Sequence, residues 1–548
     1  MNKKEADFSL LVVALLFSGL LIFLSAPSTG FALTISGNNV GIGTNTPAQP
    51  LDVVGTVKAT SFSGNGAGLT GISGANISGG TVTSGALATG AVTSGKIASG
   101  AISRSNIAFL GKVAVVAVSG GDYNNPATAM SDYANWCGTP SYSNPCLLKI
   151  MPGRYDIGAN SIQMQPRIDI EGSGENATFI EGHPDGPATV LGADDAEIRF
   201  LEVKNTGGGT NAVAIGNIAV SGAITNVSAF ASGATYNHAI ENHGAAPIMK
   251  NVTAWASGSG TENVGVQNDS NSTPPMINVI AGAEDGTTNI GIKNLSASPT
   301  IFNSYAAASG GTTSTAILND SFTGQMVDII ADASNATNTT GIMSQTSNGG
   351  QILNSKANAS GGTHNIGILN QSGAKPSMRN VRAEASGGTD STGVKNDSCE
   401  GDGTWTITSI TGRGRNATGS NYGFYNKSCA LVMFSAIATA GSSFTGASKY
   451  GIYNDAAFPR VQSSIIMVPT DAPNCAGGCY GVKSVNSGTV AIDNSQIYAY
   501  GNTVSNGNSV TTYVGNSKLE GGAVSNSGTL KCIGVYNASY NALNSSCQ

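Results

Sequence analysis

A short phrase close to Gly-Ile/Val-x-Asn recurs through the second half of this chain, and its spacing limits the folds available. Its asparagine position reads Asn217, Asn242, Asn268, Asn294, Asn319, Ser344, Asn370, Asn396, Asn426, Asn454 and Ser484. The steps are 25 or 26 residues as far as Asn396, then 30, 28 and 30. A second phrase keeps pace at Asn226, Asn251, Asn278, Asn303, Asp328, Asn354 and Asn380. A unit of this length cannot bury its own apolar face, so it must stack on its neighbours as a solenoid.

The phase of the apolar residues predicts which side chains point inward. Two residues before each first-phrase position stand Ile215, Ile240, Val266, Ile292, Ile317, Ile342, Ile368, Val394, Phe424, Ile452 and Val482. The residue between is Glu241, Gln267, Lys293, Leu318 or Lys395, which fits an outward position; this alternation is a strand signature. A second inward column precedes the second phrase, with Ile224, Met249, Met276, Ile301, Met326, Ile352 and Met378. Small residues follow it, as in Ala229 and Ala231 or Ala254 and Ala256, so the interior is narrow. The asparagines are expected at strand bends, bonded to their copies in the rungs above and below.

The chain has 548 residues, a net charge of −6 and only 11% charged residues, with no basic cluster. That balance argues against a nucleic-acid partner. Lys3 and Lys4 precede an apolar run from Phe8 to Leu24, and Gly30-Phe31-Ala32 offers a small-x-small site. Residues 1–32 therefore read as a signal peptide, with an uncleaved membrane anchor as the alternative. The expected location is extracellular or at the cell surface.

Eight cysteines in an exported chain imply disulfides. Cys137 and Cys146 are close in sequence, as are Cys475 and Cys479, and Cys532 with Cys547 can close the C-terminus. Cys399 and Cys429 each lie three residues after a first-phrase asparagine in consecutive rungs. Equal phase puts their Cα atoms about 4.8 Å apart, inside disulfide range.

Val40-Gly41-Ile42-Gly43-Thr44, Pro47 and Leu51-Asp52-Val53-Val54-Gly55-Thr56-Val57-Lys58-Ala59 resemble a segment of phage tail-fibre proteins and bacterial surface fibres. That resemblance lies within a segment bounded at residues 33–72 and implies a place along a trimeric shaft. Residues 73–107 follow as a Gly/Ser/Thr/Ala-rich stalk repeat too poor in large side chains to bury a core. From Lys112 the texture changes. Val113–Val118 and Leu147–Met151 read as strands, and Asn125-Pro126 opens a short helix to about Trp136.

The Gly120–Tyr123 turn, this capping helix, Pro152-Gly153-Arg154-Tyr155 and Ile170-Glu171-Gly172-Ser173-Gly174 resemble the entry of the pectin lyase-like superfamily, on its pectinesterase side. The resemblance implies an all-β fold, a right-handed parallel β-helix with rungs of about 25 residues. Residues 108–185 would form its entry and cap, 186–530 the helix and 531–548 a C-terminal cap. Neither the pectinesterase nor the polygalacturonase catalytic set is present beyond the Pro-Gly-x-Tyr turn and a partial match at Asp156. No zinc spacing, phosphate loop or nucleophile elbow appears, and no metal or cofactor is expected.

Outward positions of the second phrase carry the candidates for function. Phe230 and Trp255 share a phase in consecutive rungs, with Tyr305 two rungs further at the neighbouring outward position. Aromatic faces spaced along a groove can stack on sugar rings; the same residues also suit a subunit interface. Asp332 and Glu384 share a phase two rungs apart, about 9.6 Å between backbones. Two carboxylates near that distance can serve an inverting glycosidase, although two acids on a solvated face are commoner. The reading is an exported, non-catalytic structural or adhesive fibre, a homo-oligomer, that binds a polysaccharide or cell-surface glycan. The alternatives are a polysaccharide-degrading lyase, esterase or glycanase, and a phage-derived tailspike.

Overall fold

A computed structural model of the chain describes residues 33–61 and 112–548, apart from 347–348, 400–404, 445, 470–474 and 476–477, and scattered positions between 63 and 101. The signal segment and most of the stalk repeat lie outside the described residues. The chain divides into two units, Met1–Ala98 and Ser99–Gln548.

The first unit holds a small sheet. Leu33–Ser36 pairs antiparallel with Asn39–Ile42, which pairs parallel with Leu51–Val53. Leu33, Ile35, Leu51 and Val54 are all well exposed on it. Three strands this short do not bury enough apolar surface to be stable alone.

The second unit is a right-handed parallel β-helix of about 14 turns. Each rung contributes to three faces. Strands such as Asn211–Ile218, Tyr236–His243 and Glu262–Asp269 form sheet 1. A tight corner leads to three-residue segments such as Thr300–Phe302 and Gln325–Val327, which form sheet 2. A second corner leads to sheet 3, with Tyr305–Ser309 and Ile330–Ser334. Among the described residues the rung pairings are parallel, and in register except where Gln496–Asn506 meets Lys518–Asn526 with a shift. Parallel stacking in the same ladders already involves Val113–Val116 with Cys146–Ile150, and Gly153–Asp156 with Thr178–Gly182.

The two inward columns are buried as their phase predicts. All eleven residues from Ile215 to Val482 are at most 1% exposed, as are the seven from Ile224 to Met378. The alanines of sheet 3 are equally buried and set the narrow interior. The entry is covered by a short helix, Pro126–Ser131, continued after Asp132 by Tyr133–Trp136. Asn125 caps it, accepting hydrogen bonds from the amides of Ala127 and Thr128, and Pro126 occupies the first turn.

The asparagines do two different jobs. The second-phrase residues sit at the corner between sheets 2 and 3, with φ between 45° and 56°. That left-handed conformation disfavours most side chains and suits asparagine. Their amides bond rung to rung, as in Asn251 to Asn226 and Asn278 to Asn251. The first-phrase asparagines differ from expectation. They lie within the sheet 1 strand, pointing inward and buried, and the left-handed residue comes two positions later, at Ser270, Ser296 or Ser321. Each Nδ2 donates to the next Oδ1, from Asn217 through Asn242, Asn268 and Asn294 to Asn319. The ladder resumes from Asn370 through Asn396 and Asn426 to Asn454, which donates to Ser484.

All four expected disulfides form: Cys137 with Cys146, Cys399 with Cys429, Cys475 with Cys479, and Cys532 with Cys547. The Cys399 and Cys429 Cα atoms are 4.7 Å apart, the rung spacing. Among the described residues no helix is long and apolar enough to cross a membrane.

Candidate functional site

The sheet 3 aromatics stand where their phase predicts. Phe230 is in register with Trp255, and Tyr305 lies in the neighbouring outward row, beyond Thr253 and Ile280. All three are half-buried. The Trp255 ring lies flat across Gly282 in the next rung, where a Cβ would come within 2.1 Å of it. Its Nε1 donates to Glu284 Oε1 at 3.0 Å. Burial and the neighbouring Asp332 carboxylate push the Tyr305 phenol up.

Asp332, Asn358 and Glu384 do share one row. Asn358 donates to Asp332. Glu384 is buried under Arg382, Arg413 and Arg415. Burial alone would raise its pKa, but the three guanidinium groups outweigh it and hold the carboxyl below its usual range. A carboxylate so neutralised is a poor proton donor near neutral pH.

A richer cluster lies on the outer surface of sheet 1. Tyr422, Tyr450 and Tyr480 form one row, in register. Tyr425 and Tyr453 form the next. Tyr422 stacks on Tyr450 with centroids 4.9 Å apart, and Tyr450 on Tyr480 at 5.4 Å. Tyr425 meets Tyr453 edge-on at 5.2 Å. Lys483 sits 4.3 Å from the Tyr480 centroid and Lys395 lies 5.6 Å from that of Tyr425. Burial, then nearby carboxylates and rings, pushes the Tyr425 phenol up to about 12, and burial with its neighbours does the same for Tyr453. These phenols are therefore neutral donors at physiological pH.

The stack starts abruptly. In the rung before Tyr422 the same row carries Thr392, and before that Ile366. The step from a threonine to an aromatic ring opens a cavity of about 330 Å³. Tyr422 and Tyr425 bound it on one side, with Lys395, Thr392, His364, Asp390 and Asn338 around it. The side of Tyr422 away from Tyr450 borders this space. His364 Nδ1 lies 3.1 Å from Asp390 Oδ2. One aromatic wall with hydroxyl, amide, ammonium and carboxylate groups around it suits a sugar ring, whose apolar face and hydroxyl rim need both kinds of contact.

The same outer surface carries a second polar group nearer the N-terminus. His238 shares the Tyr422 row, seven rungs away and so about 34 Å along the axis. His238 contacts Glu241 and Glu262, and Glu262 also accepts from Lys293 at 2.8 Å. Burial would lower the His238 pKa, but the two carboxylates outweigh it and raise it. Burial would likewise raise Glu262, but His238 and Lys293 hold it down at about 2. Between the two groups run Leu318, Met343 and Ile366. Glu241, Gln267, Lys293, Leu318 and Lys395 mark the outward phase of sheet 1 in the sequence, and Tyr425 and Tyr453 continue that phase. The signal was present as Gly-Phe-Tyr-Asn and Gly-Ile-Tyr-Asn in consecutive repeats, with tyrosine again one phase earlier.

The strand register and the single ladder system decide the architecture. The fold is a right-handed parallel β-helix solenoid. No protein-family model and no curated protein matches the sequence. Among solved structures, the chain is similar to pectin methylesterase from carrot, at 15% identity over 42% of this chain and 76% of that one, with a TM-score of 0.31. It is also similar to the mannuronan C-5 epimerase A-module of Azotobacter vinelandii, at 10% identity over 75% and 94%, with a TM-score of 0.31. A third is the gene product 12 N-terminal fragment of bacteriophage Phi29, at 11% identity over 75% and 68%, with a TM-score of 0.30.

Proposed function

We propose that this chain is an exported β-helix that holds a polysaccharide along the outer surface of sheet 1, with one sugar unit seated against Tyr422. The observation that carries this reading is the polar cavity opened where the tyrosine stack begins. Four disulfides and the N-terminal apolar segment support export, because such bonds persist in oxidising compartments. The exposed apolar side chains of the small sheet at Leu33–Val53 support self-assembly of the N-terminal unit, which would link several binding faces. Phe230, Trp255 and Tyr305 offer a lesser platform, since the Trp255 ring is already laid on the sheet and tied to Glu284.

The test is affinity measurement against a panel of neutral and acidic polysaccharides. Tyr422→Ala should weaken binding roughly tenfold, the scale of losing a stacked ring and its buried area. Trp255→Ala should change it far less. Equal affinity of the Tyr422→Ala protein for every polymer bound by the native chain would refute the reading.

A second reading is favoured by the His364 and Asp390 pair in the same cavity. A histidine oriented by a carboxylate is a usable general base. In that case the protein releases reducing ends or unsaturated products from a bound polymer, and His364→Asn abolishes release while leaving binding in place. Binding without any product from the native protein assigns it to the non-catalytic class.

A further inference from the structure

On sheet 3, away from the tyrosine cavity, a second cavity of about 400 Å³ opens beside the rungs of Arg413 and Thr439. Arg413, Arg415, Asn416, Thr439, Ser442 and Pro469 line it. Arg413 and Thr439 are adjacent in register, and Arg415 pairs with Gly441. We propose that this cavity binds a compact oxyanion, a carboxylate or a sulfate ester, carried on an extended ligand.

Three observations converge. First, the local charge is positive in a protein whose net charge is −6. Arg382, Arg413 and Arg415 surround a single carboxylate, Glu384. One negative group cannot neutralise three guanidinium groups, and the next acid in that row, Asp332, is two rungs away and already bonded to Asn358.

Second, two polar atoms facing this region are buried with no hydrogen-bond partner: Arg413 Nε and Thr439 Oγ1. Buried donors are almost always satisfied in native proteins, and an unsatisfied one is costly. Both belong to residues that line the cavity. A ligand with several acceptor oxygens would satisfy both together, and guanidinium groups match planar or tetrahedral oxyanions well.

Third, the ion pairs with Glu384 use only part of the fork of each arginine. Arg413 contributes Nη1 and Arg415 contributes Nη2. Glu384 therefore orients the arginines while their remaining donors stay available. Arg415, which lines the cavity, is half-exposed, so the anion can be a substituent of something larger.

The test uses the full-length protein with dextran sulfate, oligogalacturonate and neutral dextran as probes. An acidic protein repels polyanions in general, so their binding requires a local site. The native protein should bind dextran sulfate or oligogalacturonate, and which one it prefers assigns sulfate or carboxylate. Arg413→Gln with Arg415→Gln should weaken that binding roughly tenfold or more. Lys250→Gln, an exposed lysine on sheet 2, should leave it unchanged. Because removing arginines disturbs Glu384, Ser443→Phe, at another residue lining the cavity, gives an independent arm: it fills the cavity without touching an ion pair and should weaken binding similarly. Neither acidic probe binding, or unchanged affinity in both the arginine and Ser443 variants, would overturn the proposal. So would equal loss in Lys250→Gln, which would mean diffuse charge. Neutral-glycan binding at Tyr422 should survive all of these variants, so failure here leaves the sheet 1 reading intact.

Discussion

At the scale of single residues, one position marks an interruption in an otherwise continuous ladder. Ser344 stands where its neighbours carry asparagine, and its side chain is too short to reach the next rung. Ser344 Oγ and Asn370 Oδ1 are both left buried without partners. Ser344→Asn should join the two halves of the ladder and stabilise the protein by about 1 kcal/mol, the net value of a typical hydrogen bond. Asn396→Ala should cost about 1–3 kcal/mol, because it strands buried groups on two neighbours. Denaturant unfolding of both variants measures this. A pH effect belongs to Glu262. Its folded pKa of about 2 lies below its ordinary value of 4.5, so its contribution is present above that value and is lost as pH falls towards 2. Native protein should lose stability relative to Glu262→Gln across that acid window, as read by melting temperature against pH. His238 acts in the opposite sense: its raised pKa gives stability below its ordinary 6.5 that fades as pH rises through the folded value.

At the scale of the rung, burial and the strand register set the energetics. Val394 is fully buried between Ile368 and Phe424 in the inward column. Val394→Asp should unfold the second unit, since an unpaired charge there has no partner and no water. Loss of cooperative unfolding and of strand signal in circular dichroism would report it. Removing the Cys399 to Cys429 disulfide should cost about 3–4 kcal/mol in the chain-entropy view of the loop it closes. Both features were legible in the sequence because a solenoid converts position in the repeat directly into position in space. Equal phase predicted the cysteine pairing and the two inward columns without any knowledge of the third dimension. The corners were less legible. The first-phrase asparagine marks a buried ladder, and the true bend two residues later is held by serine in most rungs, a residue too common to announce it. A further asparagine row, Asn237, Asn263 and Asn289, closes the turn into sheet 1 and was hidden by its neighbours' variation between Ser, Thr and Asn.

At the scale of the whole molecule, the question is which of its faces meets a ligand. Phase alone places every outward residue but cannot say how rings lie once the rungs stack. Trp255 reads as a free platform in sequence, yet it folds down onto Gly282. The tyrosines of sheet 1 occupy one another's faces, and Tyr422, the first ring of its row, borders the cavity with Tyr425. Hydroxyl-radical footprinting tests this choice most directly, because tyrosine and tryptophan on both faces are reactive and are read in one experiment. The protein is exposed to radicals with and without a polysaccharide that it binds. Protection confined to Tyr422 and Tyr425, with Trp255 and Tyr305 unchanged, is the expected result. Protection of Trp255 and Tyr305 with the sheet 1 tyrosines unaffected would contradict it.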